Sequence, residues 1–163
     1  MNRSLGVLLI TASFLISSCS GKVAAKEPEY APDFELQDTR QDVFTLSEYK
    51  DKQSVLLFFW TTWCPFCRRE LKVLNDSYAS LIKNDIEVLA IDVGELSDAV
   101  SDFIRSYYLV FRVLLDKDTS VSKAYGVMGI PTYVLVNQKG AIVFRDNYFP
   151  ANYKNLLYGK PTR

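Results

Sequence analysis

The sequence contains no histidine, and this absence narrows the chemistry open to it. It excludes histidine-based catalytic triads, imidazole general bases and imidazole metal ligands. Only three residues are cysteine, which is fewer than the four ligands of a zinc site built from cysteine and histidine. We therefore expect neither a metal ion nor another cofactor.

An excess of charge of either sign is also absent. Lysine plus arginine and aspartate plus glutamate each number 19, so the formal net charge at pH 7 is zero. Without a basic surplus to bind phosphates, nucleic acid is not an expected partner. A hydrophobic content of 48% is sufficient for a packed core, and 163 residues suit one domain.

No apolar run reaches the roughly 20 residues of a comfortable transmembrane helix. The N-terminal run follows Arg3 and ends at Ile16-Ser17-Ser18-Cys19, which resembles a bacterial lipobox, in which the cysteine is lipidated. We interpret residues 1–18 as a lipoprotein signal peptide, 19–30 as a lipid anchor at Cys19 with a flexible tether, and 31–163 as the folded domain. The alternative is an ordinary signal peptide with an incidental cysteine. Either interpretation places the domain outside the cytoplasm, and the first attaches it to a lipid bilayer.

Two further cysteines lie between an apolar stretch and an amphipathic one. Cys64 and Cys67 form a C-x-x-C motif. The apolar run 55–60 before it predicts a buried strand, and apolar residues spaced three and four apart after it predict a helix. A thiol at the N-terminus of a helix meets a partial positive charge that stabilises the thiolate. The motif therefore indicates thiol–disulfide exchange.

Two other interpretations of the motif are weaker. Half of a zinc site would need ligands that the chain does not have. A purely structural disulfide would close a loop of two residues, and so short a loop adds little stability.

The rest of the chain predicts an α/β domain. Strands are predicted at 31–36, 43–46, 54–60, 86–93, 112–115, 133–136 and 141–145, and helices at 65–83, 97–108, about 119–125 and 150–158. The strand, helix and strand around the motif make a βαβ unit with a parallel pair. We expect the first strand to be a short edge strand that forms a hairpin with the second, and Ser97 to cap its helix.

The motif Trp60-Thr-Thr-Trp-Cys-Pro-Phe-Cys-Arg-Arg-Glu70 resembles the active site of thioredoxin-like proteins of the TlpA/ResA type. The similarity continues through 31–34, 91–95 and 129–132. It implies a thioredoxin fold: a central mixed β-sheet flanked by helices, with an N-terminal β-hairpin and an inserted βα element. It also implies a membrane-tethered, extracytoplasmic thiol–disulfide oxidoreductase. Such proteins commonly reduce protein disulfides, for example in apocytochrome c, with electrons from a membrane thiol donor.

The same resemblance assigns roles to individual residues. Cys64 matches the attacking thiol, Cys67 the resolving thiol and Pro131 a proline that is cis in this fold. Glu70 matches a carboxylate that influences the thiols or transfers a proton. The expected substrate groove is formed by Trp60, Trp63, Pro65, Phe66 and Ile130. One departure concerns Phe58, which occupies the position where thioredoxins proper have an acidic residue.

Two alternative functions stay open. Peroxiredoxins are relatives that share the leading Ala-Pro-Asp-Phe and a threonine three residues before the cysteine, as in Thr61 and Cys64. In that case the protein would reduce peroxides. The other alternative is a chaperone or assembly module that uses the groove at Pro131 without turnover, and the intact cysteine pair argues against it.

Overall fold

The computed structural model describes residues 27–159. The predicted signal peptide, Cys19 and most of the predicted tether lie outside this range. The described part of the chain has the element order β1 (Glu35–Asp38), β2 (Val43–Thr45), a 3-10 helix (Leu46–Tyr49), β3 (Ser54–Trp60), α1 (Pro65–Ile82), β4 (Ile86–Val93), α2 (Ser97–Tyr107), β5 (Arg112–Asp116), α3 (Ser120–Ala124), β6 (Thr132–Val136), β7 (Ile142–Asp146) and α4 (Tyr153–Tyr158). Within residues 27–159, no helix is both long and apolar enough to cross a membrane.

The strands form one mixed sheet of seven strands in the order β2-β1-β5-β4-β3-β6-β7. Strand β4 runs parallel to β3 and β5, whereas β6 pairs antiparallel with β3 and β7. Strands β1 and β2 form the predicted antiparallel hairpin. The predicted mixed α/β architecture is therefore confirmed.

The core lies on both faces of the sheet. All seven residues of β3 are buried, which explains its uninterrupted apolar sequence. One face packs against α1, α2 and α4, and its core cluster includes Cys64 and Cys67. The other face packs against α3 and the N-terminal segment. The two cysteines therefore sit over the α1 side of the central strands.

Several details of the elements differ from the predictions, and α4 begins at Tyr153 rather than at residue 150. Residues 31–34 are not a strand, because Asp33 Oδ1 accepts hydrogen bonds from the N–H groups of Phe34 (3.0 Å) and Ser47 (2.9 Å) and holds this segment against the 3-10 helix. Strand β1 begins at Glu35 and pairs with both β2 and β5, so it is not at the edge of the sheet. Ser97 is the first residue of α2, and the N-cap position is Leu96.

Candidate active site

Cys64 and Cys67 are joined by a disulfide at the start of α1, with their Cα atoms 5.2 Å apart. Cys64 is the N-cap residue, and Pro65 follows in the first turn, where its missing N–H costs no hydrogen bond. Cys64 is 4% exposed and Cys67 is fully buried. Of the two cysteines, Cys64 is therefore the one that has any surface for a partner to approach.

The backbone around Cys64 favours negative charge on its sulfur. The N–H of Cys67 donates a hydrogen bond to Cys64 Sγ at 3.2 Å. The N-terminus of an 18-residue helix adds a partial positive charge, and the first turn of α1 has no acidic side chain. After reduction, Cys64 is therefore the thiol that this geometry favours as a thiolate.

Pro131 lies at the same end of the sheet. The Ile130–Pro131 peptide bond is cis, which is the form that the resemblance implied. Thr132 pairs with Phe59 near the end of β3, so the segment before β6 lies beside the loop that carries Cys64. Asn147 holds this segment, because its Nδ2 donates to Pro131 O (2.5 Å) and Thr132 Oγ1 (3.2 Å). Sequence reasoning missed Asn147, since only the pairing of β6 with β7 brings it here.

Glu70 lies one turn beyond Cys67 with its side chain only 13% exposed. The hydroxyl of the buried Tyr133 donates to Glu70 Oε2 at 3.1 Å. Arg69 Nε lies 3.5 Å from the other carboxylate oxygen. The carboxylate is therefore held in one orientation at the base of the site.

Two more carboxyl groups, those of Asp92 and Glu95, reach the same site from β4 and the loop after it. Asp92 is fully buried at the register position opposite Trp60, and Glu95 follows in the loop before α2. Both oxygens of Glu95 accept hydrogen bonds from Thr62, two residues before Cys64. The sequence held a signal for this pair, since Asp92 is one of two charged residues in a largely apolar strand, and it lies near the end that adjoins the cysteine loop. Phe58, at the position where thioredoxins proper have an acidic residue, packs against Tyr133 with ring centroids 4.6 Å apart. In this protein the buried acidic residue is Asp92, on the neighbouring strand β4.

The predicted groove residues divide into exposed and buried members. Trp63, just before Cys64, is 65% exposed, and Phe66, between the two cysteines, is 62% exposed. Pro65, also between the cysteines, is exposed as well. Ile130 is partly buried and packs against both core clusters. Met128, which sequence reasoning missed, is 98% exposed on the segment leading to Pro131. We refer to these apolar side chains, on the segments that carry Cys64 and Pro131, as the apolar rim.

The prediction that Trp60 lines the groove is wrong. Trp60 is fully buried, and its ring packs against Phe103 of α2 with centroids 5.1 Å apart. The reason is its position on β3, where it points toward the same side as Phe58 and Leu56 and is covered by the helices.

Within residues 27–159, no group of three or more cysteine and acidic side chains is arranged to hold a metal ion. What the site offers is a cysteine pair at a helix N-terminus, an adjacent proline loop and buried carboxyl groups.

Fold and site together define a thioredoxin-fold thiol–disulfide oxidoreductase. The chain belongs to the AhpC/TSA family, whose model matches residues 29–145. It is similar to the thiol-disulfide oxidoreductase ResA of Bacillus subtilis, with 37% identity over 140 residues, which cover 86% of this chain and 75% of that protein. The corresponding protein of Geobacillus kaustophilus is 36% identical over 121 residues, covering 74% of this chain and 69% of the relative.

Solved structures show the same likeness. StoA from Bacillus subtilis superposes with a TM-score of 0.66 at 25% identity, over 79% of this chain and 98% of that chain. A Chlorobium tepidum protein assigned as the thiol:disulfide interchange protein DsbE gives a TM-score of 0.70 at 27% identity, over 79% of this chain and 91% of that chain. The predicted fold and enzyme class are thus confirmed.

Proposed function

We propose that the protein is a membrane-tethered, extracytoplasmic oxidoreductase that reduces disulfides in other proteins. The observation that carries this proposal is the hydrogen bond from Cys67 N–H to Cys64 Sγ at the start of α1. It supports a reduced Cys64 that attacks as a thiolate, with Cys67 buried next to it and ready to resolve the intermediate.

The reaction proceeds through two exchanges. The Cys64 thiolate attacks one sulfur of the substrate disulfide, a Cys64–substrate disulfide forms, and the other substrate sulfur leaves as a thiolate that takes up a proton. The thiol of Cys67 then loses its proton and attacks Cys64 Sγ. This step forms the Cys64–Cys67 disulfide and releases the second substrate thiol, so two electrons pass from enzyme to substrate. A thiol donor at the membrane returns the enzyme to the dithiol state.

The rim supports a protein substrate. Trp63, Phe66 and Met128 present apolar surface around a sulfur that is itself only slightly exposed. A small disulfide would leave most of this surface uncovered, whereas an extended peptide can cover it and pair with the backbone beside Pro131. Ile130 and Pro65 complete the proposed groove.

The direction of electron flow is tested by the reduction potential of the Cys64–Cys67 pair in glutathione buffers. A reductant should have a potential near that of thioredoxin, about −270 mV, whereas a value near that of DsbA, about −120 mV, would make the protein an oxidant. The second result would overturn the proposed direction and leave the enzyme class unchanged.

A finer part of the proposal takes apocytochrome c as the substrate, and it rests on the resemblance to ResA-type proteins. The test compares the rate at which the protein reduces an oxidised peptide containing C-x-x-C-H with the rate for an unrelated disulfide peptide of the same length. Faster reduction of the C-x-x-C-H peptide than of an unrelated disulfide peptide supports this substrate, and equal rates contradict it.

Attachment to the membrane is proposed through Cys19, which lies outside the described residues. The Cys19→Ser variant should lose incorporation of labelled palmitate and leave the membrane fraction. Cys64→Ser is the matched control, since it also removes one thiol but leaves the lipobox intact. Unchanged labelling of Cys19→Ser would contradict lipidation at this residue.

Peroxide reduction is the second candidate function. It is favoured by the match to the AhpC/TSA family and by Thr61, whose buried Oγ1 has no hydrogen-bond partner among residues 27–159. A purified protein that consumes hydrogen peroxide rapidly but exchanges disulfides slowly would support this candidate. A variant without both thiols that still supports function in cells would indicate an assembly module instead.

A further inference from the structure

Asp92 and Glu95 bring two acidic side chains together below the active-site loop. Asp92 is fully buried on β4. The N–H of Glu95 donates to Asp92 Oδ1 at 3.2 Å, so the loop after β4 folds back over the aspartate. The two carboxyl groups lie close enough that each shifts the pKa of the other. The pair is a connected unit rather than two separate acids.

Glu95 fixes Thr62 through two short hydrogen bonds. The N–H of Thr62 donates to Glu95 Oε2 and its hydroxyl donates to Glu95 Oε1, both at 2.6 Å. Arg68 Nε donates to the carbonyl oxygen of Thr62 at 3.0 Å. All three polar groups of Thr62 are therefore engaged. Since Cys64 N–H in turn donates to Thr61 O, this clamp sets the path of the chain into the N-cap of α1.

The pair can be buried only if one of its carboxyl groups carries a proton. Two ionised carboxylates in contact and away from water repel each other strongly. Asp92 Oδ2 has no N–H or O–H donor among the described residues. A proton on Asp92, donated to Glu95, satisfies that oxygen and leaves Glu95 ionised to accept both bonds from Thr62.

The electrostatic surroundings agree with this assignment. Burial, followed by the neighbouring Glu95, raises the pKa of Asp92 to about 9, and Asp116 on β5 acts in the same direction. Burial would also raise the pKa of Glu95, but hydrogen bonds from Asp92 and Thr62 outweigh it and lower that pKa. Arg68 is a cation bound to the same loop, through the carbonyl of Thr62.

We propose that Asp92 and Glu95 form a carboxyl pair with a single proton that positions the active-site loop for exchange at Cys64. Glu95 is the positioning residue, and the proton on Asp92 keeps Glu95 in place. Loss of that proton in alkaline solution puts two charges in the buried site, loosens the hold on Thr62 and adds negative charge beside the Cys64 thiolate. The proposal applies to exchange in either direction and does not depend on the tether or on the identity of the substrate.

The test uses the full chain with Cys19→Ser and Cys67→Ser, so that Cys64 is the only thiol. The rate constant of Cys64 with 2,2′-dithiodipyridine, an uncharged disulfide, is measured from pH 5 to pH 11. The rate should rise as Cys64 ionises and then fall about tenfold around pH 9, and in Asp92→Asn it should stay level above the rise. Glu95→Gln should react several-fold more slowly at pH 7 and also lose the alkaline fall, and Glu95→Asp should restore part of the rate.

The matched control is Glu87→Gln, at the opposite end of β4, which should keep the profile of the parent protein. An alkaline fall that persists in Asp92→Asn would overturn the proposal, as would parental rates in both variants of the pair at every pH. If Asp92→Asn does not fold, carboxyl ¹³C NMR of the oxidised parent replaces it. A resonance of the pair that titrates near pH 9 is expected, and none titrating between pH 7 and pH 11 would be contradictory.

Discussion

At the scale of single residues, the site depends on polar groups that are buried and paired. Tyr133 illustrates this dependence, because its hydroxyl is enclosed in the core and donates to the carboxylate of Glu70. A hydrogen bond to a charged acceptor contributes more than one between neutral groups, and its loss leaves a nearly buried carboxylate short of a donor.

Tyr133→Phe should lower the free energy of unfolding by about 1–3 kcal/mol, measured by urea denaturation at pH 7. It should also slow disulfide exchange at Cys64, because Glu70 loses its fixed orientation one turn from Cys67. Tyr125→Phe is the matched control, since that hydroxyl donates to Pro32 O at 2.7 Å on the opposite face of the sheet. Equal effects of the two variants on exchange would contradict a role for the Tyr133–Glu70 contact.

Asp92 should make the stability of the protein depend on pH. Its pKa is about 9 in the folded state against a usual value of 3.8, so between these values the folded state holds a proton that the unfolded state has lost. The contribution of Asp92 to the free energy of unfolding is therefore at its maximum below about pH 4, and it decreases as the pH rises toward 9. Asp92→Asn has no such titration and should exceed the parent in free energy of unfolding by about 1–3 kcal/mol at pH 8.

The same comparison at pH 4.5 should show little difference between Asp92→Asn and the parent. Asp118→Asn should have the opposite effect on the free energy of unfolding. Hydrogen bonds with Ser120 lower the pKa of Asp118, so its ionised form stabilises the fold, and the variant loses this contribution. An advantage of Asp92→Asn that is constant from pH 4.5 to pH 9 would show that Asp92 is ionised in the folded protein.

At the scale of elements, the segment before β6 takes its position from the residue that follows β7. Asn147 donates to Pro131 O and Thr132 Oγ1, and the Thr132 hydroxyl donates to Gly129 O at 2.6 Å. One side chain therefore ties the proline loop to the sheet without contributing to the exposed rim.

Asn147→Ala should raise the KM for a disulfide peptide about three- to tenfold, because the backbone beside Pro131 loses a fixed position for the peptide. Alkylation of Cys64 by iodoacetamide in the reduced protein should change little. The control is Asn84→Ala, which removes an asparagine bond to Ser80 O at the far end of α1. An equal fall in peptide turnover and in alkylation would point to general loosening of the fold.

The sequence predicts best those elements that are apolar runs bounded by polar residues. Strands β3 and β4 were predicted at both ends, since each is an apolar run between polar breaks. Helix α1 ends within one residue of its predicted limit. The start of β1 was missed because Asp33 captures two backbone donors, one of them from a residue 14 positions away.

The site was predictable only in part, because some of its residues are brought together by contacts between distant parts of the chain. The cysteine pair and Pro131 are marked by local motifs, and the structure places them at one end of the sheet. Glu95 and Asn147 act through bonds to residues 33 and 16 positions away, and these bonds exist only once the strands have paired. Burial of Trp60 likewise depends on α2, which the sequence around Trp60 does not specify.

At the scale of the whole molecule, the active-site residues and the N-terminal segment lie at opposite ends of the sheet. The cysteine pair, Pro131 and the carboxyl groups lie where β3 and β4 end and β6 begins. The N-terminal segment joins the opposite end, where Tyr30 bridges to Ala141 and Ala31 N–H donates to Gly140 O at 2.9 Å. A chain anchored ahead of this segment would present the cysteines away from its point of attachment, which suits the proposed tether.

The central claim is that Cys64 attacks and Cys67 resolves, and it is tested most directly by trapping the intermediate. Cys64→Ser and Cys67→Ser variants, each with Cys19→Ser, are mixed with an oxidised substrate protein and separated on non-reducing gels with mass spectrometry of the adducts. Cys67→Ser should accumulate a disulfide between Cys64 and the substrate, because nothing remains to resolve it, and Cys64→Ser should form almost none. Adducts that form mainly through Cys67 in the Cys64→Ser variant would contradict the assignment of the two thiols.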